Sequence, residues 1–82
     1  MALYKYSHYL TRVTDPRFDP ALEPGTIAPH CGIYQCQGCG HEIASNAGNS
    51  LPPADHHEHE PEQGALLWRL IVSIEVEKGN AE

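Results

Sequence analysis

The sequence predicts a small β-rich domain: a β-hairpin stapled by a metal, joined to a long C-terminal strand. Three observations lead there. The chain has 82 residues, enough for one domain with a thin core of the kind that is often completed by a metal, a disulfide or a partner. From Leu66 to Val76 the even positions, Leu66, Trp68, Leu70, Val72, Ile74 and Val76, are all apolar, and the odd ones are mixed or polar. That period of two is the signature of a strand with one face on the core. The middle of the chain reads Cys36-Gln37-Gly38-Cys39-Gly40-His41, a C-x-x-C followed at once by glycine. Two thiolates at this spacing can grip one ion from a tight turn, and Gly40 lets the backbone fold back beneath them.

Taken in order, residues 1–23 form an N-terminal strand or arm followed by a Pro-rich extended segment, and residues 24–77 form the core of the domain. Leu3 to Val13 is rich in aromatic and β-branched residues and alternates in part, which predicts a strand or an arm able to dock on another chain. Asp15-Pro16, Asp19-Pro20 and Glu23-Pro24 repeat an acid before proline every four residues. The residue before proline avoids the helical region, so this stretch runs extended or turns repeatedly, with Phe18 and Leu22 as its anchors. Glu23-Pro24-Gly25 is a turn with proline second and glycine third. Gly32 to Cys36 predicts a short strand into the knuckle, and Glu42-Ile43-Ala44-Ser45 the strand returning from it. Asn46 to Ser50 is a turn, and Leu51-Pro52-Pro53 is extended.

Ala54 to Gly64 is a polar window without apolar periodicity, a loop holding His56, His57 and His59 among four acids. Sixteen residues separate Cys39 from His56, and His56 to His59 repeats the x-x spacing, giving C-x2-C-x16-H-x2-H. This falls in the range of two-knuckle zinc sites. The expected metal ligands are Cys36 and Cys39 with two drawn from His56, His57 and His59. Cys31, His41 and Asp55 are further candidates. Zinc suits mixed sulfur and imidazole donors, and iron or cobalt can occupy the same set. Two thiolates and two neutral imidazoles make a neutral, closed site, which is structural and not catalytic.

The segments Pro24-Gly25, Ala28-Pro29, Gly32 to Gly40 with its G-x-Y-x-C-x-x-C-G pattern, Leu51-Pro52-Pro53 and the late Trp68-Arg69-Leu70 resemble small bacterial zinc-ribbon proteins of the rubredoxin-knuckle type, whose role is unassigned. The likeness covers Pro24 to Leu70 and leaves out the N-terminal third. It implies a zinc-ribbon-like hairpin. In such ribbons a cysteine pair commonly follows the prolines. Ala54 stands there in this chain and histidines follow, so the second half of the site either passes to the histidines or is lost.

Composition narrows the function. The net charge is -6, and the five basic residues, Lys5, Arg12, Arg17, Arg69 and Lys78, are scattered. A nucleic-acid partner calls for a basic face, which is lacking. No segment reaches the eighteen apolar residues of a membrane span, and Met1 to Leu10 does not read as a secretory signal. The expected compartment is the reducing cytoplasm, which favours metal over disulfide, as does the odd count of three cysteines. The deaminase order of H-x-E before P-C-x-x-C is reversed, and no glycine-flanked nucleophile is present, so no enzyme is expected. The leading expectation is a non-enzymatic zinc-binding module that associates with a protein partner or with itself. The alternatives are a thiol-redox protein using Cys36 and Cys39, with Cys31 resolving, and a His-rich metal sensor or store.

Overall fold

A computed structural model describes residues 1–53, 56 and 64–74 of the chain. Its centre is a three-stranded antiparallel sheet: β1 (Gly32–Cys36), β2 (Glu42–Ser45) and β3 (Trp68–Ser73), in the order β2-β1-β3. Two single 3-10 turns, Ser7–Tyr9 and Pro16–Phe18, are the helical elements among the described residues. The fold is therefore β-rich, and the hairpin strands begin and end where the sequence predicts.

β1 lies in the middle because it alternates cleanly. Gly32, Tyr34 and Cys36 are buried, while Ile33 and Gln35 between them are half-buried. Cross-strand partners share a face. Tyr34 opposes Ile43 on β2 and Leu70 on β3, and Cys36 opposes Trp68. These side chains meet Ala28, Leu51 and Leu66 to make the core, with Phe18, Leu22 and Ile43 packed at its margin. On the other face, Gln35 Nε2 donates to Glu42 Oε2 at 2.9 Å.

The anchors of the Pro-rich segment are as expected. Leu22 makes an isolated antiparallel bridge to Trp68, with N–H to O distances of 2.6 and 2.8 Å. Thr26 N–H donates to Glu23 O at 3.1 Å across a turn whose Gly25 has φ 83°, the geometry of proline second and glycine third. The next residues clasp the return from β2: Ala28 N–H donates to Asn49 O at 2.7 Å, and Leu51 N–H to Thr26 O at 2.8 Å. These bonds bury Ala28 and Leu51.

Two expectations need correction. Leu3 to Val13 is not a strand. It is an exposed arm with a single 3-10 turn at Ser7–Tyr9 that buries no residue. Aromatic residues favour strands only where a half-buried surface receives them. Here the outer edge of β3 is bridged by Leu22 at Trp68 and flanked by Arg17, whose Nη1 donates to Ser73 Oγ at 3.3 Å. Arg17 in turn holds Asp15, donating its backbone N–H to Oδ1 at 2.8 Å and Nη2 to Oδ2 at 3.2 Å. Those hydrogen bonds keep the Asp15 carboxyl below the usual carboxylate range.

The second correction concerns β3. It is shorter than Leu66 to Val76, and its apolar face does not run through. The register passes from Ile33↔Val72 to Tyr34↔Leu70, so Ile71 is a bulge. An extra residue moves the alternation by one step. Val72 therefore shares a face with Ile33 instead of with Leu70, and Ile74 is 63% exposed. Glu75 and Val76 lie outside the described residues.

Tyr34 ties the core to the segment before β1. Its hydroxyl donates to His30 O at 2.5 Å and accepts from His30 N–H at 3.2 Å. Burial pushes the phenol above its ordinary 10.0, and the nearby Cys31 pushes the same way against the hydrogen bond to His30. A raised folded value means that this stabilisation is complete below the unfolded value and is lost as pH rises through the folded one. Alkaline unfolding followed by circular dichroism is thus expected to begin above about pH 10. Tyr34→Phe is expected to remove that share of the pH dependence and to cost about 1–2 kcal/mol at neutral pH, because both His30 groups lose their partner.

Candidate metal centre

The knuckle is built from the end of β1. Cys36 O accepts the N–H of Gly40 at 2.8 Å, and Cys36 N–H donates to His41 O at 2.7 Å. Gly40 has φ 85°, a left-handed value that glycine adopts without cost and that lets β2 start directly below the turn. Gln37 N–H donates to Leu67 O at 2.8 Å, so the turn is also tied to the residue that leads into β3. The two thiols differ. Cys36 is fully buried, while Cys39 is exposed. One thiol is thus held in the core and the other at its surface.

His56 reaches the same end of the sheet. Its backbone N–H donates to Pro53 O at 3.0 Å. Its ring lies 5.8 Å from that of Trp68 and 5.2 Å from that of His41, while His41 lies 6.5 Å from Trp68. Trp68 opposes Cys36 in register, so two imidazoles gather around the indole that backs the knuckle. His57, His59 and Asp55 fall outside the described residues. Among the described residues, no three of His, Cys, Asp and Glu come together as a group able to hold an ion.

His41, a further candidate by its place directly after Gly40, is carried by the turn of the hairpin to the side where the His56 ring lies. Cys31 is the opposite case. Its Sγ accepts Ala47 N–H at 3.2 Å beyond the far end of β1. Five residue steps along a strand cover about 17 Å, and zinc–sulfur bonds are about 2.3 Å. Cys31 is therefore too distant to share an ion with Cys36 and Cys39, or to resolve a disulfide between them.

The class defined on these grounds is a small antiparallel sheet whose central hairpin carries a cysteine knuckle. No known protein family and no solved structure matches the chain. It is 51% identical over 49 residues to a protein of Escherichia coli called Protein L, a match that covers 60% of this chain and 55% of that protein. The chain thus spans about half the length of the curated relative it matches. Among the described residues no helix is long and apolar enough to cross a membrane.

Proposed function

We propose that this chain is a non-enzymatic, zinc-ribbon-like module. In this reading a zinc ion held by Cys36, Cys39 and two of His56, His57 and His59 stabilises a surface that associates with protein, in a reducing cytoplasmic setting. The observation that carries the proposal is the convergence on Trp68. The C-x-x-C turn lies across from it in register, and the ring of His56, twenty residues after Cys36, comes to it from the downstream loop. The donor set fits zinc: thiolates and neutral imidazoles are its preferred structural ligands. Zinc would supply four bonds linking hairpin and loop, and the Gly40 turn and the Gln37–Leu67 tie support the reading by fixing the backbone that carries the two cysteines. The full burial of Cys36 and the remoteness of Cys31 weigh against a dithiol that must meet substrate.

Elemental analysis of the purified native chain tests the proposal. About one zinc per chain is expected, with loss of the ion in Cys36→Ser and in a combined His56→Ala, His57→Ala, His59→Ala variant. Retention of the ion after the histidine changes would remove the downstream half of the site. His41→Ala then identifies the replacement ligand. A metal-free native chain would overturn the reading.

A further inference from the structure

The arm before the sheet is built for contact but makes little. Seven of the nine large exposed apolar side chains among the described residues fall in the first thirteen positions, with Met1 94%, Leu3 89% and Tyr9 76% exposed. The arm is nevertheless organised. Tyr6, His8 and Tyr9 cluster at ring distances of 4.1–6.1 Å, and Lys5 Nζ lies 5.1 Å from the Tyr6 ring centre. Between arm and sheet runs a groove of about 730 Å³, walled by Tyr4, Leu10, Val13, Phe18 and Val72. An apolar surface of this kind on a small chain marks an interaction site.

Charge identifies the occupant. Residues 1–14 hold Lys5 and Arg12 and no acid, a charge of +2. The remaining residues hold three bases against eleven acids, a charge of -8, and the two parts make up the chain's -6. Lys5 and Arg12 are exposed and have no carboxylate partner among the described residues, and Asp19 and Glu23 are exposed and have no basic one. Each copy thus carries a basic aromatic arm and an acidic Pro-rich segment, and neither satisfies the other within one chain.

We propose that the arm is a self-association surface. Two copies exchange arms about a two-fold axis, so that Lys5 and Arg12 of each face Asp19 and Glu23 of the other and the apolar arm residues are covered. This rests on the protein-association half of the proposed function and names a second copy of the chain as the partner. Tyrosines at the centre and charges at the rim match the usual anatomy of an interface.

Sedimentation of the full chain tests it, with zinc content read on the same samples. The expected mass is twice the 9.1 kDa of one chain. The dimer should weaken at least roughly tenfold in Lys5→Glu with Arg12→Glu, and equally in Asp19→Lys with Glu23→Lys. An equimolar mixture of the two reversed variants should dimerise again, since every arm then meets a body of opposite charge. Tyr9→Ser with Leu10→Ser should abolish the dimer while circular dichroism stays unchanged. A wild-type chain that is monomeric at micromolar concentration overturns the proposal, as does a dimer indifferent to both charge reversals or a mixture that stays monomeric. A zinc-loaded monomer sinks this inference alone, and a metal-free dimer sinks the metal reading alone.

Discussion

Trp68→Ala is expected to lower the unfolding free energy by about 3–5 kcal/mol, the range for truncating a large buried aromatic. Domains of this kind hold only about 5–15 kcal/mol in all, so the variant should lose a large share of its stability. The reason is the number of elements that meet at this residue. Its side chain is fully buried opposite Cys36, its backbone bridges Leu22 in both directions, and its indole Nε1 donates to Pro52 O at 3.4 Å. His41 and His56 close the outer side. Removing the ring opens a cavity where, among the described residues, the sheet, the Pro-rich segment, Pro52 and His56 meet. Trp68→Phe keeps most of the apolar contact and loses the indole donor, so a smaller loss of about 1–2 kcal/mol is expected. Urea unfolding followed by far-ultraviolet circular dichroism measures both, since this is the chain's single tryptophan and its fluorescence disappears with it. Equal losses in the two variants would contradict this account of the core.

Gly32→Ala should cost about 3 kcal/mol, which for a domain of this size is a fall in Tm of roughly 12–24 °C. A Cβ at Gly32 would lie 2.0 Å from Val72 O and 3.0 Å from Ser73 Cα, and the residue sits at φ 156°. The obstacles are backbone atoms of β3, so no side-chain rotation relieves them. The strands must separate at the bulge, which also endangers the bond from Ile74 N–H to Cys31 O at 2.8 Å. Gly25→Ala is the control. It carries φ 83° but meets nothing within 4 Å, so it feels the backbone conformation alone, about 1–2 kcal/mol. Thermal scans of the pair separate the two causes. If Gly32→Ala loses no more than Gly25→Ala, the close approach of β3 is not a constraint.

The hairpin was legible because its signals are local. Gly40 and the knuckle spacing specify where β1 ends and β2 begins, and Pro24-Gly25 specifies its own turn. Phe18 and Leu22 stood out as the only large apolar side chains in a run of acids and prolines, and both pack against the core. The bulge at Ile71 was not legible, because the apolar run Leu70-Ile71-Val72 fits an unbroken strand as well as a bulged one. It depends on a glycine nearly forty residues earlier in the chain that lets the backbones close together. Tyr4, Tyr6 and Tyr9 have the composition of a strand, but β propensity does not say whether a segment pairs with a sheet edge. Of the candidate site, the residue types and their spacing were legible: Cys36 and Cys39, with His41 and the downstream histidines. The approach of the His41 and His56 rings to each other and to Trp68 was not, since it depends on how the chain after β2 returns to the sheet.

The bonds of Pro52 O to Trp68 and of Leu67 O to Gln37 have a consequence for how chains of this type can diverge. They pin the two ends of the intervening excursion to the same end of the sheet, so the excursion begins and finishes at one address whatever its length. Closing a loop becomes only slightly harder as it grows: doubling its length costs about 0.6 kcal/mol. Insertions and deletions between His59 and Leu66, outside the proposed ligands, are therefore expected to accumulate at almost no thermodynamic penalty. A single residue added between Cys36 and Cys39 would instead break the turn. Length variation in homologous chains should concentrate in the first interval and be missing from the second.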